Sequence, residues 1–223
     1  MARRTLLRTS EYPYHIYARA NNQEAFPGEL RYVWKTFTGE LFLQQVLREV
    51  RVHAFVLMPN HFHLLASSPG MDISLVMRDF ISASTRILNA KSQRSGRIFG
   101  GRYGWTLVTN AAYYAHVYKY VIRNPAKAGL CECVSDYPFS SYAGEIGNVP
   151  LPLRILPPNS GFDKFVPCEA QRRDDWLNDP HPAELNEAIR KGLRKKEFKI
   201  NPARRTRRKL DLKIDAQATP KDA

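Results

Sequence analysis

Apolar residues in the first two thirds of the chain follow two periods, one typical of strands and one typical of helices. A period of two, rich in aromatic and branched side chains, predicts strands over residues 14–18, 52–58, 61–66 and 105–108. Pro59 and Asn60 are turn residues between two of these runs. We therefore predict that the second and third strands form a hairpin.

Helical spacing of apolar residues predicts three helices, over residues 30–41, 73–88 and 110–124. Gly39 is a point where the first could be interrupted, and Asp72 is a suitable N-cap for the second. The third should end at Asn124, because Pro125 disfavours helical dihedral angles in the residue before it. Together, these elements predict a mixed α/β domain.

Beyond Tyr142 the pattern changes, because Gly and Pro recur too often for regular structure, and only residues 183–193 have the spacing of a short helix. From Arg190 to Lys213, twelve Lys or Arg residues stand against two acidic ones. We interpret this run as either a solvated segment or an electrostatic arm for nucleic acid. The predicted division is a domain over residues 1–143, followed by a Pro/Gly-rich linker and a basic, flexible C-terminal extension over residues 144–223.

The composition indicates a soluble protein with a polyanionic partner. The 223 residues include 43% hydrophobic ones and carry a formal net charge of +13, which favours binding to phosphates. No apolar run is long enough to span a membrane, and the basic N-terminus leads to no signal-peptide core. Three cysteines do not suggest a disulfide framework. We therefore predict a cytoplasmic protein with no membrane partner.

The sharpest local motif is the pair His61 and His63, separated by Phe62. Alternate side chains of a strand share a face, so both imidazoles point the same way and could bind one divalent metal ion. The alternative is one packed and one exposed histidine. A zinc hydrolase is a further hypothesis, but it needs a third His or carboxylate ligand, and the nearby sequence offers none.

The third predicted helix adds a phenol and a carboxamide to this picture. Tyr113, Val117, Tyr120 and Asn124 fall on one stripe, so Tyr120 and Asn124 should face the sheet one turn apart. A phenol is a nucleophile, and an amide oxygen is a hard metal ligand. The alternative is that Tyr120 belongs to the core and Asn124 caps the helix. Tyr118 is the main rival nucleophile and Tyr114 a weaker one.

Five segments in one order resemble single-tyrosine HUH transposases, and in particular the REP-associated tyrosine transposases of bacteria. They are PYHIYARANN at 13–22, HAFVLMPNHFHLL at 53–65, FGGRY at 99–103, YKYVIRNPAKAGL at 118–130 and DYPFSSY at 136–142. The similarity covers about residues 12–142, and the rest of the chain matches no module.

The resemblance implies a ferredoxin-like α+β fold, an antiparallel sheet with packed helices. It implies that Tyr120 attacks single-stranded DNA near a hairpin and forms a 5′-phosphotyrosine, while His61, His63 and Asn124 hold Mg²⁺ or Mn²⁺. Such an enzyme would act as a monomer or a homodimer. The alternative from another class is a non-catalytic DNA-binding protein that keeps this fold.

Basic and polar residues near the matched segments are candidates for DNA contact. His15 lies in the first segment, and its most economical interpretation is a strand histidine hydrogen-bonded within the fold. His53 is interpreted as structural, and His116 as lying at the edge of the tyrosine stripe. The candidate DNA-binding residues are Arg19, Asn21, Asn22, Arg102, Tyr103, Arg204, Arg205, Arg207 and Arg208.

Overall fold

The structure, a computed structural model, describes residues 5–158 and 161–200. Its first elements confirm the predicted order of strands and helices. They are β1 (Tyr14–Arg19), α1 (Leu30–Arg48), β2 (Arg51–Met58), β3 (His61–Ser67), α2 (Ile73–Ser92) and β4 (Gly104–Leu107). Helix α1 is longer than predicted and continues through Gly39. Asp72 caps α2 as predicted, since its side chain accepts a hydrogen bond from the Ser74 amide.

The four strands form one sheet in the order β2-β3-β1-β4, and every neighbouring pair is antiparallel. Strands β2 and β3 are the predicted hairpin. The order of elements and strands is that of a ferredoxin-like fold, which confirms the predicted α+β class.

Each face of the sheet packs against its own layer of helices. Helices α1 and α2 pack together and cover one face, where Phe37 and Phe80 contact Phe62. Helix α3 (Ala111–Ile122) lies on the other face, against β2 and β3, and Val117 packs there. Because side chains alternate along a strand, Phe62 faces α1 and α2, and the histidines on either side of it face α3.

The third predicted helix is divided in two. Asn110 caps α3 by accepting hydrogen bonds from the Ala112 and Tyr113 amides, and α3 ends at Ile122. A short helix α4 (Asn124–Lys127) follows, with Pro125 in its first turn. A proline is tolerated in a first turn, because its missing N–H would have no partner there. The proline therefore starts a new helix where the sequence predicts only an end.

Further helices follow in the C-terminal region: α5 (Ser141–Glu145), α6 (Ala170–Asn178) and α7 (Ala183–Gly192). The short helix predicted at 183–193 is therefore confirmed, whereas α6 was not predicted. The division proposed at residue 144 falls inside α5 and stays a prediction.

The sequence predicts a flexible extension, but residues 170–200 pack on the sheet domain. Leu177, Leu185, Ile189 and Phe198 are buried in the cluster that also contains Val117. The Thr106 hydroxyl donates to the carbonyls of residues 193 and 195, at 2.6 and 2.9 Å. Leu107 also exchanges backbone hydrogen bonds with residues 196 and 198 at the edge of β4. This part of the extension is folded because its apolar side chains are buried against α3.

Within the residues that the structure describes, no helix combines the length and the apolar composition that a membrane span requires.

Candidate active site

His61 and His63 lie on the same face of β3, as the alternation predicts. In the antiparallel register with β1, His63 is opposite Tyr17 and His61 is opposite Arg19. His63 is buried, whereas His61 is half-buried where the strand begins. The two ring centres are 5.2 Å apart and the rings are nearly perpendicular. Burial, and to a smaller extent the charge of Arg19, lower the pKa of His61 to about 4, so this imidazole is neutral near pH 7.

Tyr120 faces these histidines from helix α3. Its ring centre lies 5.9 Å from that of His63 and 6.4 Å from that of His15, with the rings edge to face in both pairs. The side chain is half-buried. The structure therefore brings the predicted nucleophile and the predicted histidine pair together within one chain.

The charges around Tyr120 are positive. Burial raises the pKa of its phenol, and the nearby guanidinium groups of Arg190, Arg194 and Arg19 oppose that rise. The Lys127 ammonium lies over the ring, 5.7 Å from its centre. Two of these cations come from α7 and the residues just after it, so the C-terminal region adds positive charge to the site.

The ring of His61 is held by the turn that precedes β3. Its Nδ1 lies 2.7 Å from the amide oxygen of Asn60. The amide nitrogen of Asn60 donates to the carbonyl of Gln23, at 2.8 Å. The sequence motif does not indicate the contact between Asn60 and His61, because the sequence predicts only a turn at Asn60.

His15 also belongs to the site, although the sequence analysis did not assign it there. It is buried on β1, and its Nε2 lies 2.9 Å from Nδ1 of His63. The expectation of a strand histidine hydrogen-bonded within the fold is therefore confirmed. Tyr17 completes this layer, with its ring stacked on His15 at 5.9 Å. It lies over Gly104, where a Cβ atom would come within 2.3 Å of the ring. The pairing of β1 with β3 places His15 and Tyr17 next to His63. The spacing of these residues along the chain could not reveal that contact.

Asn124 lies one turn after Tyr120, as predicted, but its side chain makes a contact of its own. Its Nδ2 donates to the backbone carbonyl of Tyr120 at 2.8 Å. This bond uses the amide nitrogen and leaves the oxygen as the end that could bind a cation.

His61 and His63 offer a divalent ion two imidazole nitrogens, a ligand type that zinc also accepts. Across residues 5–158 and 161–200, no three His, Cys, Asp or Glu side chains converge on one point that could hold a metal ion. An ion held by His61 and His63 would need an amide oxygen, water or a phosphate oxygen as its remaining ligands, which is typical of Mg²⁺ and Mn²⁺. The zinc-hydrolase hypothesis gains no third ligand from these residues.

The rival tyrosines lie on other sides of α3. Tyr118 is buried with its ring stacked on Trp176, 6.5 Å between centres, and burial raises the pKa of its phenol strongly. Tyr114 is also buried. His116 faces His181, with 5.2 Å between ring centres. Tyr113 is partly buried against the cluster on this face of the sheet, and its ring also packs on Phe198 of the C-terminal segment, 5.3 Å between centres.

Of the described candidates for DNA contact, Arg19 is opposite His61 in the sheet, whereas Arg102 lies in a loop beside α2. Arg19, Asn21, Asn22 and Arg102 are exposed. The amide of Asn21 donates to the carbonyl of Ile98, which ties the turn after β1 to the loop that carries Arg102. Tyr103 is different, because it is buried in the core, so its ring is not available for stacking on a base. Within the described part of the chain its hydroxyl has no hydrogen-bond partner. Four candidates lie outside the described residues: Arg204, Arg205, Arg207 and Arg208.

Comparisons with known proteins agree with this picture. A family profile described as "Transposase IS200 like" matches residues 9–124, a range that includes His61, His63, Tyr120 and Asn124. A REP-associated tyrosine transposase of Escherichia coli (strain K12) is 28% identical over 108 residues, which is 48% of this chain and 62% of that protein. The chain thus matches less than two thirds of that relative's length.

A solved structure of a REP-associated tyrosine transposase bound to a REP hairpin has the same fold. The TM-score is 0.57 at 19% sequence identity, and the match covers 72% of this chain and 97% of the other. At this identity the likeness concerns the fold.

Proposed function

The chain belongs to the family of IS200-like transposases, and from that membership we propose that it cuts and rejoins single-stranded DNA next to a hairpin through a covalent bond to Tyr120. The observation that carries the proposal is the position of the Tyr120 ring, 5.9 Å from His63. A phenol placed beside imidazoles that can bind a cation has the parts that phosphoryl transfer needs.

In the proposed reaction, the Tyr120 oxygen attacks a phosphorus atom of the strand. The phenol loses its proton as the new O–P bond forms. The bond from phosphorus to the 3′ oxygen breaks, and that oxygen takes up a proton. The product is a 5′-phosphotyrosine and a free 3′-hydroxyl. A second 3′-hydroxyl can reverse the step on another strand, so no ATP is required.

The residues around Tyr120 have distinct roles in this proposal. Arg190 and Arg194 favour the phenolate, because they oppose the effect of burial on the pKa of Tyr120. His61 and His63 would hold Mg²⁺ or Mn²⁺, with the amide oxygen of Asn124 as a third ligand. When bound, such a cation would neutralise charge that develops on the phosphate oxygens.

The DNA would approach from the open end of the site. Arg19 is exposed opposite His61, and Arg102 is exposed in the loop that is tied to the turn after β1. Both suit phosphate contacts, which position a strand without reading its bases. Asn21 and Asn22 lie beside them in the turn after β1 and offer amides for base edges. We include the basic residues 204–208 as a further phosphate-binding segment, on the strength of their charge alone.

The test is adduct formation with labelled single-stranded DNA that carries a hairpin from the flanks of the gene, in the presence of Mg²⁺ or Mn²⁺. We expect the wild-type protein to form a covalent protein–DNA species on a denaturing gel, with the label on the peptide that contains Tyr120. Tyr120→Phe should form none, because its ring lacks the attacking oxygen. Tyr118→Phe is the matched control on the same helix and should still form adducts.

Two outcomes would contradict the proposal. Adducts that persist in Tyr120→Phe would mean that another residue attacks. Tight hairpin binding by the wild-type protein, with no nicking at any concentration of either metal, would favour a non-catalytic DNA-binding protein.

A further inference from the structure

Both candidate metal-binding histidines have the same ring nitrogen engaged by a side chain. Nδ1 of His61 contacts Asn60, and Nδ1 of His63 contacts His15, at 2.7 and 2.9 Å. A neutral imidazole carries one proton, so the nitrogen that donates a hydrogen bond determines which nitrogen keeps a free lone pair. The contacts of Asn60 and His15 therefore bear on which nitrogen can bind a cation.

For His61 the direction of the hydrogen bond follows from the partner. The amide nitrogen of Asn60 donates to the Gln23 carbonyl, so the oxygen of the same amide faces His61. An amide oxygen only accepts, so Nδ1 of His61 carries the proton and donates it. Its Nε2 then has the free lone pair.

For His63 the partner is a second imidazole. His15 is almost fully buried, and its other nitrogen, Nδ1, has no hydrogen-bond partner among the residues that the structure describes. That nitrogen is left unpaired whichever ring donates, so it does not select a direction. If His63 donates, its Nε2 is free to bind a cation. If His15 donates, Nε2 of His63 carries a proton and cannot bind one.

We infer that Asn60 and His15 are positioning residues, which hold His61 and His63 in the tautomer whose Nε2 is free for a metal ion. For His61 the direction follows from the Asn60 amide. For His63 it follows from the proposed function, because the His15 contact engages Nδ1 and leaves Nε2 as the nitrogen that can bind a cation. The inference rests on the proposed function, because it assumes that these two histidines bind the cation. It adds two residues that the family-level site does not contain, one from the hairpin turn and one from the neighbouring strand.

The chemistry of the two partners has a further consequence. Metal-binding histidines often donate to a carboxylate, which makes the ligand nitrogen more basic. Asn60 and His15 are both neutral, so they orient the ligands without strengthening them in this way. The site should therefore bind its cation weakly and exchange it readily.

The first experiment is a comparison of His15→Phe with His15→Gln in the full-length protein. Phenylalanine keeps an aromatic ring against Tyr17 and Tyr120 but cannot accept a hydrogen bond, whereas glutamine offers an oxygen near the position of Nε2. We expect His15→Phe to weaken Mn²⁺ binding by about 10–100-fold and His15→Gln to restore most of the affinity. Electron paramagnetic resonance of free Mn²⁺ measures this without DNA.

The second readout is the tautomer itself, from the ¹⁵N chemical shifts of the His61 and His63 rings in the metal-free protein. Wild type and His15→Gln should show a protonated Nδ1 on His63, and His15→Phe should show a mixture. His53→Phe is the matched control, since His53 is also a buried strand histidine but contacts Leu156 and Ser67. It should leave the tautomers and the Mn²⁺ affinity unchanged, whatever it does to stability.

Asn60 is tested by comparing alanine with aspartate. Both variants lose the donor to the Gln23 carbonyl, but Asn60→Asp still accepts from His61. We expect Asn60→Asp to keep the protonated Nδ1 of His61 and to retain or raise Mn²⁺ affinity, because a carboxylate makes the ligand nitrogen more basic, and Asn60→Ala to lose both. A role limited to the turn would make the two variants equally impaired.

The outcomes separate this inference from the function on which it rests. A protonated Nε2 on His63 in the wild-type protein, or unchanged Mn²⁺ affinity in His15→Phe, would overturn the assignment even if DNA cleavage is observed. If the tautomers are as stated but the wild-type protein binds no Mn²⁺, the metal site of the proposed function fails, and the positioning role fails with it.

Discussion

Tyr118 and Tyr120 are chemically identical and two positions apart, yet their surroundings make them very different phenols. Burial against Trp176 raises the pKa of Tyr118 strongly, and the charged groups near its phenol do not offset that rise. Burial also raises the pKa of Tyr120, but three guanidinium groups oppose that rise. At the residue scale, the side of the helix on which a phenol lies therefore decides whether it is suited to attack a phosphate.

A buried histidine away from the site gives a test of how burial couples protonation to stability. His53 contacts the Leu156 carbonyl and the Ser67 hydroxyl, and burial lowers its pKa to about 4. In the unfolded chain its pKa is about 6.5. Its contribution to stability is therefore complete above that value and is lost as the pH falls from about 6.5 towards 4.

We predict that His53→Gln reduces the acid sensitivity of the protein. Between about pH 7.5 and pH 5, the wild-type free energy of unfolding should fall by about 2 kcal/mol more than that of the variant, because only the wild type takes up this proton on unfolding. Urea unfolding at the two pH values measures the difference. Equal pH dependence in both proteins would show that His53 is not held neutral by burial.

At the scale of elements, helix α3 lies between the sheet and the C-terminal helices. Val117 packs towards β2 and β3, while Tyr118 stacks on Trp176 of α6. The almost fully buried Lys119 also lies over Trp176, 4.8 Å from the ring centre. The direction in which Tyr120 points is therefore set from both sides, and the C-terminal helices are part of the support of the nucleophile.

The packing of α7 can be tested with one cavity-forming substitution. Ile189 is fully buried between α7 and the rest of the cluster. We expect Ile189→Ala to lower the free energy of unfolding by about 2–5 kcal/mol, because it leaves a cavity in a packed core. Urea unfolding of the full chain is the measurement.

Lys191 provides the control for that substitution on the same helix. Its exposed side chain pairs with Glu187, at 3.5 Å, so Lys191→Ala should change stability by less than about 0.5 kcal/mol. If Ile189→Ala were as mild as this control, α7 would not be packed on α3 as described.

At the scale of the whole molecule, one chain contains every described part of the site. Tyr120 lies against His15 and His63 of its own chain, and Arg190 and Arg194 come from the same chain's C-terminal region. A partner subunit is therefore not needed to supply the proposed nucleophile. Both a monomer and a homodimer remain compatible with this arrangement.

Mixing two inactive variants tests whether the site is formed within one chain. We predict that Tyr120→Phe mixed with the double variant His61→Ala/His63→Ala forms no adducts, because neither chain has a complete site. Adduct formation with labelled hairpin DNA is the measurement, after co-expression of the two variants to allow exchange. Recovery of adducts in the mixture would show that the tyrosine helix serves the histidines of another subunit.

What could be predicted from the sequence depends on periods that the backbone itself imposes. A strand places His61 and His63 on one face, and a helix places Tyr120 on the stripe of Val117, whatever the rest of the chain does. The mixed α/β domain followed from such patterns, and the antiparallel α+β class followed from the family resemblance that the ordered motifs carry. The turn at Pro59 and Asn60 was equally local.

The tertiary structure alone decided which distant residues meet. His15 contacts His63, which is 48 residues later in the chain, across the pairing of β1 with β3. Thr106 holds the segment after α7 at the sheet edge. Tyr103 proved to be buried although its loop is basic and rich in glycine. Local periods describe how one element presents its side chains, but register and packing between elements arise from the whole set of contacts. For that reason the partners of the site residues could be seen only in the folded chain.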